Sequence, residues 1–464
     1  MKYYIGIDLG TSAAKLVLTD SNAEIIKTVS KEYPLFFPKP NYSQQNPEDW
    51  WSAVSEGVEE LTAEIDKADV EGIGVGGQMH GLVMLDEKDN VLRPAILWND
   101  TRTGKETDYL NNVIGKELLQ KYTGNIAFAG FTAPKILWVK NNEPEIFRRC
   151  KKICLPKDYI NYRLTGNFAT DVSDASGTLY FDVERRKWSG EMLEILGIDE
   201  GYLPEVYESC DVIGSTNLFG LNARVVAGAG DNAAAAIGTN TVSAGGCNIS
   251  LGTSGTVFIP TNNYVKTENP ALHSFCHANG KYHLMGCILS AASCNKWLNE
   301  RVFETPYNVG VGNPEAELYF LPYLSGERCP HNDGDIKGAF VGITHATSRE
   351  DMQRAVFEGV AFAIKDCIEL CPDKPEKATV CGGGVKSSEW MKILSAVLNT
   401  ELSVIKNEGP ALGGALLAAG MNASPEIEFT VKPDEALTGI YKKKYEKYKK
   451  LYPLLKPFYK EETL

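Results

Sequence analysis

The chain has 464 residues, 43% of them hydrophobic and 23% charged, with a formal net charge of −13 and a pI of about 5.2. That length asks for two domains, and that composition for an ordinary globular protein. The acidic balance argues against a nucleic-acid partner, whose main attraction is phosphate neutralisation, and no apolar run reaches the roughly 18 residues of a membrane span. Met1 to Gly6 enter a strand without a secretory pattern, and the eleven cysteines are odd in number. The expectation is therefore a cytoplasmic protein with free thiols.

In chain order, residues 3–9 and 15–19 predict a β-hairpin turning at Gly10-Thr11-Ser12. A third strand follows within 22–33, and Pro34, Pro38 and Pro40 then break regularity. Asn46 reads as a helix N-cap with Pro47 at the first helical position, and Trp50, Trp51, Val54, Val58 and Leu61 fall near helical spacing as its apolar face. Residues 70–77 and 82–85 read as strands. Gly72, Gly74 and Gly77 match GxGxxG literally but lie inside the first of these, which argues against a dinucleotide fold. No GxxxxGK[ST] sequence exists, so a P-loop is not expected. The second half predicts strands at 247–250, 256–260 and 282–288, and helices at 290–299, 348–371, 387–399 and 411–420. Tyr441, Tyr445, Tyr448 and Tyr452 then recur at helical spacing beside lysines, as on an amphipathic helix. The small-residue stretch 238–246 places the boundary between units 1–237 and 238–464.

Four places carry chemistry. Leu9-Gly10-Thr11-Ser12 returns as Leu251-Gly252-Thr253-Ser254, 242 residues later, each between apolar strands. Two such turns face to face would grip a phosphate chain with backbone amides and hydroxyls; two unrelated hairpins are the plainer alternative. Gln78 and His80, after Gly76-Gly77, offer donors and acceptors for a polyol, or form a tight turn around a satisfied histidine. Asp231, after Gly228-Ala229-Gly230, stands where a helix N-cap belongs; such a cap would stay ionised and is a candidate general base for an alcohol. Gly382-Gly383-Gly384 would let an adenine lie on backbone, or is a bare loop. His273 and His277 would share a strand face, but no second ligand cluster favours a metal there.

The blocks Gly6 to Ser12, Gly77 to Gly81, Ile96 to Asp100, Phe131 to Lys135, Leu155 to Tyr159, Gly230 to Ala234, Ser250 to Gly255, His273 to His277, Phe320 to Arg328 and Gly382 to Gly384 resemble, in order, the FGGY family of carbohydrate kinases. The resemblance implies an α/β protein of two actin-like (ribonuclease H-like) domains with an interdomain active-site cleft. It implies phosphoryl transfer from ATP with magnesium (Mg2+) to a sugar, D-xylulose giving D-xylulose 5-phosphate. Gluconate or ribulose are the alternative acceptors, and a non-catalytic actin-like nucleotide binder is the rival from another class. The resemblance places Asp8 at the metal and in catalysis, and Asp231 as the base. Met79, His80, Asp231 and Asn232 fall on the sugar. Thr11, Ser12, Thr253, Gly383, Gly384 and Ser387 fall on ATP. Ala292 and Lys296 stand near the adenine without an assigned role, and the shortened 298–319 segment carries no transferable contact. The implied partners are a small sugar, with no nucleic acid and no membrane; a homodimer is left open.

Overall fold

The computed structural model describes residues 1–305, 308–406 and 409–460. The second expected unit and the 298–319 segment thus extend in part outside the described residues. In the first half, β1 (Tyr3–Leu9), β2 (Ala13–Asp20) and β3 (Ile25–Glu32) form an antiparallel meander. Period-two alternation puts Ile5, Ile7 and Leu9 on one fully buried face of β1. Helix α1 (Pro47–Thr62) starts as expected: the Asn46 side chain accepts from Glu48 N, and Trp50, Val54, Val58 and Leu61 are buried in one cluster with β1 and β2. Then come β4 (Val70–Gly77), α2 (Pro156–Thr165), β5 (Val212–Thr216) and β6 (Ala223–Gly230). The sheet order is β5-β6-β4-β1-β2-β3, with β4 parallel to both β1 and β6.

Helix α3 (Asp231–Gly238) leads into the second half, where β7 (Gly246–Leu251), β8 (Gly255–Thr261), β9 (His273–Cys276) and β10 (Tyr282–Ile288) follow. Next are α4 (Ala292–Trp297), α5 (Arg349–Glu369), β11 (Lys377–Cys381), α6 (Ser388–Leu398), β12 (Glu401–Ile405), α7 (Gly409–Ala419), β13 (Ile427–Val431) and α8 (Glu435–Tyr448). Their sheet runs β9-β10-β8-β7-β11-β12-β13. The meander β10-β8-β7 continued by parallel β11 and β12 repeats β3-β2-β1 continued by β4 and β6. This is the duplicated, ribonuclease H-like architecture that the family resemblance implies.

One helix crosses over. α7, from the second half in sequence, packs on β1 and β4 of the first sheet and on α3. Glycines allow backbone-to-backbone approach there: a Cβ on Gly6 would lie 1.8 Å from the Ala411 carbonyl oxygen, and one on Gly413 1.8 Å from that of Ala234.

Three expectations need correcting. The 290–299 helix is only α4, continued by a π-helical turn at Leu298–Val302. The tyrosine helix ends at Tyr448, so Tyr441, Tyr445 and Tyr448 are buried on it while Tyr452 belongs to a separate helix, Leu451–Tyr459. Asp231 is not the N-cap of α3: Gly230 is, and Asp231 is the first helical residue.

Candidate active site

The C-terminal ends of β1, β4 and β6 lie side by side, Leu9 opposite Gly77 and Gly77 opposite Gly230. Parallel strand ends are where open α/β sheets gather ligands. Here they bring together Asp8, the turn residues Met79 and His80, and the start of α3 with Asp231 and Asn232. Burial, then the charge of Asp231, pushes the Asp8 carboxyl up to about 7, while Lys15, opposite it on β2, pulls it back down. Burial pushes Asp231 up to about 6, against a bond from Asn232 N at 2.8 Å. Desolvation thus outweighs the helix end at Asp231, but a carboxyl titrating at about 6 is still mostly ionised at neutral pH. Asn232 Nδ2 also donates to the Asp231 carboxylate at 3.0 Å and touches Met79 Sδ at 4.0 Å. Met79 fills the space over Gly230, where a Cβ would sit 2.9 Å from Met79 Cγ.

His80 has φ +69, a strained conformation for a non-glycine residue, held from several sides. Its carbonyl accepts from Lys135 Nζ at 2.7 Å and Thr132 Oγ1 at 3.2 Å, and its ring stacks on Phe131 at 4.6 Å. Burial, helped by Lys135, lowers its pKa to about 3, so the ring is neutral. Nδ1 lies 2.7 Å from the Gly177 carbonyl oxygen, which only accepts. Nδ1 therefore carries the proton, and Nε2 is left as an acceptor.

The two expected phosphate turns differ in their support. In the first, Gln45 Nε2 donates to the Thr11 carbonyl at 2.7 Å, Gln78 Nε2 to that of Gly10 at 3.2 Å, and Trp98 Nε1 to Thr11 Oγ1 at 3.0 Å; Ser12 is exposed. In the second, Thr253 and Ser254 are exposed, and the carbonyls of Gly252 and Thr253 accept from Ala292 N at 2.8 Å and Ala291 N at 2.9 Å. Ser250 pairs with Cys381, so the triple-glycine turn lies beside this loop. Gly382 and Gly384 pack on Leu251, Gly383 is exposed, and Ser387 caps α6 by accepting from Trp390 N at 3.3 Å. Lys296 is exposed on α4 and Ala292 half-buried.

The halves meet along β9. Asn125 exchanges two hydrogen bonds with the Ser274 backbone, Cys276 N donates to Ser176 Oγ, and Phe128, Phe131 and Phe275 surround His273. His273 and His277 thus serve packing and interface. Sequence reasoning gave no role to Trp98, Lys135 or Arg328, although each lies in a recognised block. The Arg328 guanidinium reaches from the second half over the Phe128 ring at 5.1 Å, near His80, with no carboxylate within ion-pair distance among the described residues. Nor do the described residues contain a group of three or more His, Cys, Asp or Glu side chains able to cage a metal.

Family models for the N-terminal and C-terminal domains of the FGGY carbohydrate kinases match residues 3–238 and 247–421. The chain belongs to the FGGY family of carbohydrate kinases. Among its relatives, this FGGY kinase is 39% identical to the xylulose kinase of Escherichia coli K12, over 98% of this chain and 99% of that one. The crystal structure of a xyloylose kinase from Brucella ovis superposes with a TM-score of 0.94 at 38% identity, covering 98% of this chain and 100% of that one. A gluconate kinase structure from Lactobacillus acidophilus gives 0.93 at 28% identity over 99% of both chains. Backbone shape therefore does not separate the two sugar classes.

Proposed function

We propose that this kinase transfers the γ-phosphoryl group of ATP to the terminal hydroxyl of D-xylulose, giving D-xylulose 5-phosphate and ADP. The observation that carries the chemistry is the convergence of Asp231 with Met79, His80 and Asn232 at adjoining strand ends, beside the Gly10-Thr11-Ser12 turn. The xylulose assignment rests on the 39% identity across nearly the whole chain.

In this reading Asp231 accepts the proton of the attacking hydroxyl. Its raised pKa suits that task, because a base titrating near 6 is ionised at neutral pH yet binds a proton better than a free carboxylate. His80 Nε2 accepts from a sugar hydroxyl, Met79 packs on the carbon face, and Asn232 fixes the Asp231 carboxylate. Thr11, Ser12 and Thr253 offer hydroxyls to phosphates, and Gly383 and Gly384, with Ser387 ordering the following helix, bear the adenosine.

An Asp8 carboxyl pushed up by burial and by the charge of Asp231 calls for a cation, and exposed glycine-hydroxyl turns fit a polyphosphate. A lone carboxylate such as Asp8 fits magnesium, which takes its other ligands from phosphate and water. When bound, the ion would screen phosphate charge; Asp8 would hold it. Closure of the two halves would exclude water as a competing acceptor.

A panel of ketoses, alditols and aldonates assayed with ATP tests the substrate. The highest kcat/KM is expected for D-xylulose; preference for gluconate or ribulose would overturn the assignment. ATP turnover that no sugar stimulates would favour the non-catalytic reading.

A further inference from the structure

Beside Asp231 lies a buried ion cluster that the reaction above does not use. Lys157, at the start of α2, is 0% exposed. Its ammonium lies 2.8 Å from Asp158 Oδ1, 3.2 Å from Asp171 Oδ1 and 4.0 Å from Asp174 Oδ2. It also donates to the Ala227 carbonyl at 3.1 Å, which takes a second bond from Asn161 Nδ2 at 2.9 Å. The other oxygen of Asp171 accepts from Ser173 Oγ at 2.5 Å and from Ser209 Oγ at 2.7 Å. Ser173 Oγ in turn accepts from Gly230 N at 3.1 Å. Lys157, Asp171, Ser173 and Ser209 are all fully buried.

The two anchored backbone groups bracket an irregularity. The register of β6 on β4 slips between Val226 and Ala229, and Gly228 has φ +75 with Val75 O pressed where a Cβ would be. Bulges beside active sites re-aim the residues that follow them. Here the bulge turns the Ala227 carbonyl towards Lys157 and delivers Gly230, and hence Asp231, to the strand end. Buried ion pairs are weak stabilisers, so stability alone does not account for a cluster with this geometry.

We propose that Lys157, Asp171 and Ser173 form a positioning network for Asp231. It clamps the carbonyl at one end of the bulge and the amide at the other, fixing where the carboxylate meets the sugar hydroxyl. The inference rests on the reading of Asp231 as the base. None of the three touches substrate; they act through the β6 backbone.

Lys157→Met would strand buried carboxylates and threaten folding, so the test uses Ser173. Ser173→Ala frees Gly230 N, whereas Ser209→Ala removes an equivalent bond to the same Asp171 oxygen without touching the Gly230 amide. Ser173→Ala is expected to lower kcat about 10- to 100-fold, the scale of a misplacement near 1 Å, with KM for D-xylulose and ATP nearly unchanged. Ser209→Ala should stay within about threefold of wild type. Placed on Asp231→Asn, Ser173→Ala should cost no further factor, because its effect runs through the lost carboxylate. Equal kcat losses in both serine variants, or a full multiplicative loss in the double variant, would overturn the proposal. A slow Asp231→Asn beside a fast Ser173→Ala removes the positioning network alone. A fast Asp231→Asn removes the base assignment and the network with it.

Discussion

The two halves dress one scaffold differently at its strand ends. At the end of β1 the first half carries Asp8; at the matching place on β7 the second half carries Ser250, 242 residues later. After β4 come Gln78, Met79 and His80; after the corresponding β11 come Gly382, Gly383 and Gly384. The first half thus fills its strand ends with side chains that can donate, accept and titrate. The second clears them down to backbone and hydroxyls. A small polyol needs directed side-chain contacts, whereas a nucleotide can be borne by amides and a flat glycine surface. Support differs accordingly. The Thr11 turn is tied by Gln45, Gln78 and Trp98, while the second turn leans on the start of α4.

Substitutions on either side break or sharpen this contrast. The largest effect is expected from Asp231→Asn, which should lower kcat by about 10²–10⁴ and leave sugar binding intact. Steady-state kinetics with isothermal titration of D-xylulose checks both parts. His80→Ala should raise KM for the sugar about 10- to 100-fold, from the roughly 1–3 kcal/mol lost when a polar group is left unpaired, with KM for ATP unchanged. Equal loss on both substrates would instead assign His80 a folding role. Acidification should also act through the first half. Asp231 must be ionised to take a proton, so kcat/KM for the sugar should fall as pH drops through about 6, by about tenfold at pH 5. His80, titrating near 3, stays neutral across that range. The smallest effect is expected from Thr253→Val, about three- to tenfold on KM for ATP with the sugar untouched. A variant that lost sugar affinity instead would erase the division of labour.

Much of this was legible in the sequence because it is local. Alternating apolar residues gave the hairpins, Asn46 and Pro47 gave the start of α1, and the length together with the resemblance gave the two domains. The candidate site residues lie on a few short blocks, so the resemblance reached them. What escaped depends on distant partners. Lys157 looks like any helical lysine until β6 places Ala227 over it and Asp171 and Asp174 arrive beside it. Lys135 is another buried lysine, and its targets, the His80 and Gly130 carbonyls, exist only once the His80 turn adopts its positive φ. The raised pKa of Asp231 was not foreseen, because a helix start is visible in sequence and desolvation is not.

The crossing of α7 has a consequence for how the protein is made. Gly6 and Gly74 lie against the α7 backbone at Ala411 and Gly414, so the earliest strands off the ribosome wait for one of the last helices to cover them. Folding domain by domain during synthesis, the usual course for a chain of this size, cannot finish the first half here. A fragment ending at 237 would keep one sheet face open to water, and the two halves made separately would each lack a wall that the other supplies. The site at the strand ends is therefore completed only when nearly the whole chain has left the ribosome.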